Sequence, residues 1–164
     1  MKYSIKAGAA DKINSECAIV FVWAKGIFSD EATLLDAATN KAISNVVKAG
    51  DFSGALAETI LLHQLQGLSA KRVLLVGAGL KTEFDAKSAI KAIRSAYQVT
   101  QKLAATSLHF AIASVTVTDR DSDWLTARVA EEGESSYYRY TATKSKNPNA
   151  AATKTVSTPP ITGS

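Results

Sequence analysis

The sequence predicts a layered α/β domain, because strand-like runs alternate with helix-like ones and Gly-rich breaks separate them. The strongest strand signals are Cys17-Ala18-Ile19-Val20-Phe21-Val22-Trp23-Ala24 and Lys71-Arg72-Val73-Leu74-Leu75-Val76, rich in apolar and β-branched residues as strands covered on both faces are. The strongest helix signal follows Asp85, where Ala86, Ala89, Ile90, Ile93, Tyr97 and Leu103 can line one face.

Taken in order, Met1 to Lys6 alternates weakly and ends near Gly8, as a short first strand would. Lys25-Gly26 closes the second strand. Ser29-Asp30-Glu31 is then a helix-start signal, since a Ser or Asp oxygen accepts from orphan amides and acidic groups suit the helix dipole. Leu35, Ala38, Ala42 and Val46 recur at helical spacing until Gly50, which predicts one amphipathic helix. Gly50-Asp51-Phe52-Ser53-Gly54 is a turn-rich break, and Glu58-Thr59-Ile60-Leu61-Leu62-His63 is a strand candidate ahead of the one closed by Gly77-Ala78-Gly79. After the long helix, Leu108-His109-Phe110-Ala111-Ile112-Ala113 reads as a strand. Asp119-Arg120-Asp121-Ser122-Asp123 is a turn, and Trp124, Leu125, Arg128 and Val129 begin a last helix. From Asn147 onward there are Pro breaks and no periodicity, which predicts a linker or disordered end. The expected organisation is one domain over residues 1–146 and a flexible linker or tail over 147–164.

A chain of 164 residues suits a single core and needs no disulfide or metal staple. Its one cysteine, Cys17, has no second thiol to pair with, so a reducing, cytoplasmic setting is expected. The apolar run around it is about eight residues long, too short to span a bilayer, and Asp11 and Glu16 precede it, unlike a signal peptide. The formal charge is +4, but Lys144, Lys146 and Lys154 lie in the last 21 residues, leaving 16 basic and 15 acidic groups over residues 1–143. A folded part so nearly neutral lacks the basic stripe that phosphate neutralisation needs, and nucleic-acid binding is disfavoured.

Few residues offer local chemistry. His63, His109 and Cys17 each lie in an apolar strand candidate, where a buried packing role is favoured over metal ligation. No His-Glu-x-x-His, Gly-x-Ser-x-Gly or Gly-Lys-Ser/Thr pattern occurs. The carboxylates of Asp119, Asp121 and Asp123 imitate the start of a calcium loop, but Trp124 stands at the sharp-turn glycine and Ala130 at the bidentate glutamate, so helix capping is expected. Gly77-Ala78-Gly79 after a buried strand could admit a phosphate, yet Thr82 stands where a third fingerprint glycine would, which favours a tight turn.

Three stretches occur in order: Ala42-Ile43-Ser44-Asn45-Val46-Val47-Lys48-Ala49-Gly50-Asp51-Phe52-Ser53-Gly54; Lys71-Arg72-Val73-Leu74-Leu75-Val76-Gly77-Ala78-Gly79; and Tyr138-Arg139-Tyr140 with Lys144-Ser145-Lys146. Together they resemble the N-terminal region of the leucyl (cytosol) aminopeptidases, peptidase family M17. The resemblance implies a macro-domain-like three-layer fold, a mixed sheet between helices. It places the hydrolytic chemistry in a following catalytic domain, where Lys, Asp and Glu hold two divalent metals, manganese or zinc, around an Asn-Thr-Asp-Ala-Glu-Gly-Arg-Leu motif. That motif is absent from this chain, so no catalytic, cofactor-binding or metal-ligating residue carries over and none is expected here. The implied partner is the protein's own catalytic domain, in a homohexameric parent. The alternative implied by the macro-like fold is a module for an ADP-ribose or nucleotide-like ligand, with Gly50–Gly54 and Gly77–Gly79 as its only plausible contributors. Of Tyr137, Tyr138 and Tyr140 near the end of the last helix, at least Tyr138 or Tyr140 is expected to pack that helix against the sheet.

Overall fold

The computed structural model describes residues 2–5, 16–63, 65–67, 70–103, 107–112, 114–143 and 155–158. Its centre is β2 (Cys17–Trp23), buried along its whole length, as expected of a strand with no polar alternation. β5 (Arg72–Gly77) and β6 (Ser107–Phe110) flank it, both parallel, with Cys17 opposite Arg72 on one side and Leu108 on the other. β4 (Thr59–His63) adds antiparallel to β5, and the two-residue β3 (Ile27–Phe28) folds back on the end of β2. With β1 (Lys2–Ile5) and β7 (Thr155–Thr158), the mixed sheet runs β1-β7-β6-β2-β5-β4.

Alternation along β2 divides the core in two. Cys17, Ile19, Phe21 and Trp23 face a cluster shared with α3 (Ala86–Thr100) and α4 (Ser122–Thr143). Ala18, Val20 and Val22 face the other, with Ala32 and Leu35 of α1 (Asp30–Ala38) and Ile43 of α2 (Ala42–Lys48). Helices thus cover both faces, the three-layer α/β arrangement expected from the sequence.

α3 begins where Asp85 accepts the Ser88 N–H, and buries Ala89, Ala92, Ile93, Ala96 and Tyr97. It is held to α4 by the Tyr97 hydroxyl, which donates to the Val129 carbonyl at 2.8 Å, and by Arg94, which donates Nε and Nη2 to the Glu132 carboxylate. The Glu132 side chain is only 3% exposed and takes a further bond from Arg128. Burial pushes its carboxyl up, but the bonds and charges of Arg94 and Arg128 together hold it below the usual range.

Two segments differ from expectation. The single helix predicted to run to Gly50 is two helices, broken where Asn40 and Lys41 take left-handed φ values of 57° and 65°. Asp36 sets the break: its carboxylate accepts both the N–H and the hydroxyl of Ser44, while the Lys41 N–H donates to its carbonyl. The stretch expected to be a linker supplies β7, parallel between β1 and β6, with Val156 opposite Tyr3 and Leu108. Thr155-Val156-Ser157-Thr158 is rich in β-branched residues, and a partner strand on each side satisfies a backbone that local pattern alone left unassigned.

Candidate functional site

In an open α/β sheet, ligands enter outside the carboxyl ends of the strands, where connections leave in opposite directions. Here that point lies beside β2, whose neighbours β5 and β6 are reached over opposite faces of the sheet. Just beyond the strand ends, the Ala24 N–H donates to Gly79 O at 2.8 Å and Ala78 N–H to Val22 O at 3.0 Å. A pocket of about 60 Å³ opens there, among Trp23, Phe28, Ser29, Asp30, Lys81 and Ser114. Sites for drug-sized ligands usually occupy about 300–1,000 Å³, so this one has room for a few waters.

The start of α1 forms one wall. Ser29 accepts the Ala32 N–H as N-cap, and the Asp30 N–H donates to Ser114 Oγ. Glu31 reaches across to the segment after β6, where its carboxylate accepts the Ser114 N–H at 2.8 Å and the Ser114 hydroxyl. A protein carboxylate therefore occupies the donors that an incoming anion would use between these two elements.

The two Gly-rich stretches come together, but they close on one another. Gly77 N–H donates to Glu58 O at 2.6 Å, Ala57 N–H to Gly77 O at 2.9 Å and Gly79 N–H to Gly54 O at 2.9 Å. A Cβ on Gly77 would stand 1.9 Å from Ala55 O, so glycine is needed because the chain's own loop lies against it. Gly77-Ala78-Gly79 does not form the tight turn expected of it: it runs on from β5 beside the end of β2, Ala78 N–H donating to Val22 O and Gly79 O accepting from Ala24 N–H, while Phe52, 1% exposed, anchors the facing loop in the core. The loop's amides are also engaged: Ser53, Gly54 and Ala55 N–H and the Ser53 hydroxyl all donate to Glu58 Oε1. Partial burial raises the Glu58 carboxyl, but these donors together bring it below its ordinary value.

The remaining candidates are dispersed. Cys17 and His109 are fully buried in β2 and β6, with His109 opposite Ala18 and Ser157. His63 departs from the buried role expected of it: it ends β4 at the sheet margin and is exposed. It and Cys17 are both opposite Arg72, one strand to either side, which separates their backbones by roughly 10 Å. Among the described residues no three His, Cys, Asp or Glu side chains converge as metal ligands. Asp121 accepts the Trp124 N–H at 2.7 Å and caps α4, the role expected for this acidic turn, while Arg120 stacks 5.5 Å from the Trp124 ring centroid. Tyr137, Tyr138 and Tyr140 continue the backbone of α4, but their side chains lie outside the described residues, as do Lys144, Lys146 and Lys154. In sequence Glu31 reads only as a helix-start acid and Glu58 only as part of a strand run, and Ser114 is passed over; the Glu31–Ser114 contact spans 83 residues and leaves no local signal.

Residues 19–147 match the model of the cytosol aminopeptidase family, N-terminal domain. A probable cytosol aminopeptidase of Methylobacillus flagellatus is 38% identical over 149 residues, covering 91% of this chain and 30% of that protein. The chain spans about 30% of the length of such relatives. Among solved structures, a mutant tomato leucine aminopeptidase superposes with a TM-score of 0.74 at 14% identity, over 100% of this chain and 33% of that one. The macrodomain of Mycobacterium tuberculosis DarG superposes with a TM-score of 0.59 at 13% identity, over 96% of this chain and 97% of that one. These likenesses establish a macrodomain-like fold.

Proposed function

Because this chain belongs to the cytosol aminopeptidase family, as its N-terminal domain, we propose that it is the non-catalytic accessory domain of a leucyl aminopeptidase, a metal-dependent exopeptidase. The observation that carries the reading is one of extent: the match fills most of this chain while the chain fills 30% of its relative. The hydrolytic centre, with two manganese or zinc ions, is assigned to the remaining part of such a protein, which is also this domain's partner within a homohexamer. A cytoplasmic location accords with the relatives' description as cytosol aminopeptidases. Among the described residues no helix is long and apolar enough to cross a membrane.

The test is to assay the 164-residue chain on leucine p-nitroanilide and leucyl peptides, with manganese or zinc added, beside a full-length relative. The relative should turn over and the chain should not. Metal-dependent turnover that co-purifies with the chain through successive columns would overturn the reading.

The macrodomain-like fold favours a second reading, a module for an ADP-ribose or nucleotide-like ligand. The Glu31–Ser114 contact and the mutually closed glycine stretches weigh against it. Calorimetry with ADP-ribose separates the two, heat saturating at one equivalent being the result that supports the second.

A further inference from the structure

The Gly50–Glu58 loop holds a feature that the accessory-domain reading does not use. Three consecutive N–H groups, of Ser53, Gly54 and Ala55, converge on one oxygen at 3.0, 3.0 and 3.2 Å, and the Ser53 hydroxyl joins them at 2.8 Å. Successive amides aimed at one point form a concave nest for an oxyanion. The oxygen inside it, Glu58 Oε1, is an anion supplied by the chain itself. Ser53 and Ala55 are exposed, so the nest opens to solvent.

Its shape does not depend on the carboxylate it holds. Gly54 has a φ of +84°, and a Cβ there would come within 2.4 Å of Trp23 O, so the turn is seated against the end of β2. Gly79 N–H holds Gly54 O, Ala57 N–H holds Gly77 O and Phe52 is buried beneath. The bond that Glu58 makes to Gly77 N–H uses its backbone carbonyl, which any side-chain replacement keeps. The turn is therefore held by backbone contacts that do not involve the Glu58 side chain, which fills the nest together with the Ser53 hydroxyl, itself 3.4 Å from the Ala55 N–H.

We propose that the Ser53–Ala55 turn is a masked oxyanion site, which takes a phosphate-class anion when the Glu58 carboxylate is displaced and which Glu58 otherwise keeps closed. The carboxylate matches the donors in charge and reach, and an external anion has to compete with a tethered one at high local concentration. Lowering of the Glu58 carboxyl below its usual range agrees with a site that prefers its occupant ionised. The inference goes beyond the accessory role and does not rest on it.

The test is an amide NMR titration of the parent chain and of Glu58→Ala with inorganic phosphate at neutral pH, with sodium chloride at matched ionic strength as control. Glu58→Ala should show saturable shifts at Ser53, Gly54 and Ala55, with an apparent Kd at least about tenfold below that of the parent, and adding Ser53→Ala should weaken them. A folded Glu58→Ala whose three amides ignore phosphate, or follow chloride equally, overturns the proposal. If Glu58→Ala does not fold, Glu58→Gln decides it: the neutral amide oxygen fills the nest less well, so phosphate should bind more tightly than to the parent, and an unchanged response counts against the site.

Discussion

Gly77→Ala is the sharpest test of the way the two glycine stretches close on each other. The added methyl would lie 1.9 Å from Ala55 O and 2.9 Å from the carbonyl carbon of Ala55, against 3.4 Å or more in ordinary contact. Both are backbone atoms, so no side-chain rotation relieves the overlap. Lifting the loop by the required 1–2 Å loosens three backbone bonds, Ala57 N–H to Gly77 O, Gly77 N–H to Glu58 O and Gly79 N–H to Gly54 O. At about 1 kcal/mol each, that loss is about 3 kcal/mol. The reduced entropy of the unfolded alanine chain offsets about 0.5 kcal/mol of it, which leaves about 2.5 kcal/mol and a fall in Tm of about 5–10 °C for a chain of this size. Urea unfolding followed by far-UV circular dichroism should show a lower midpoint with an unchanged slope. A variant that melts within about a degree of the parent would refute the contact.

Two further outcomes follow from the helices. Glu132→Gln should cost about 1–2 kcal/mol at pH 7, less than a fully buried pair because Arg94 is 53% exposed. Since the folded-state carboxyl of Glu132 is lowered, its contribution is complete above the unfolded carboxylate range and fades as pH falls through the folded value. The gap between parent and variant in urea midpoint should therefore shrink on going from pH 7 to pH 3, and a gap that widens would contradict the assignment. Asp121→Ala removes the acceptor for the Trp124 N–H and should cost about 1 kcal/mol, read as a lower Tm at pH 7; no loss would mean that the cap is dispensable.

The parts of the fold legible in the sequence are those whose cause is local. β2 and β5 announce themselves because strands covered on both faces need unbroken apolar runs. α3 does so because Asp85 and the Ala89–Ile93–Tyr97 face sit within one stretch of chain. The break between α1 and α2 was hidden because Asp36 satisfies Ser44 eight residues away, through an apolar period that runs on regardless. β7 was hidden because its strand character rests on partners from the opposite end of the chain. The site was least legible of all. Glu31, Asp36 and Glu58 each take both the N–H and the hydroxyl of one serine, Ser114, Ser44 and Ser53, and a carboxylate with such a role resembles any other in sequence.

The place of β7 between β1 and β6 also governs the order in which the sheet can be completed. β1 leaves the ribosome before the other strands of this sheet, yet its strand partner among the described residues is β7, about 150 positions later. During vectorial synthesis the central β2–β5–β6 unit can assemble while the N-terminal strand has nothing to pair with. Closing so long a loop adds contact order, which slows folding. Until residues 155–158 emerge, the growing sheet presents the open edge of β6, a surface suited to mispairing with other nascent chains. Shortening the chain before Thr155 would make that transient edge permanent.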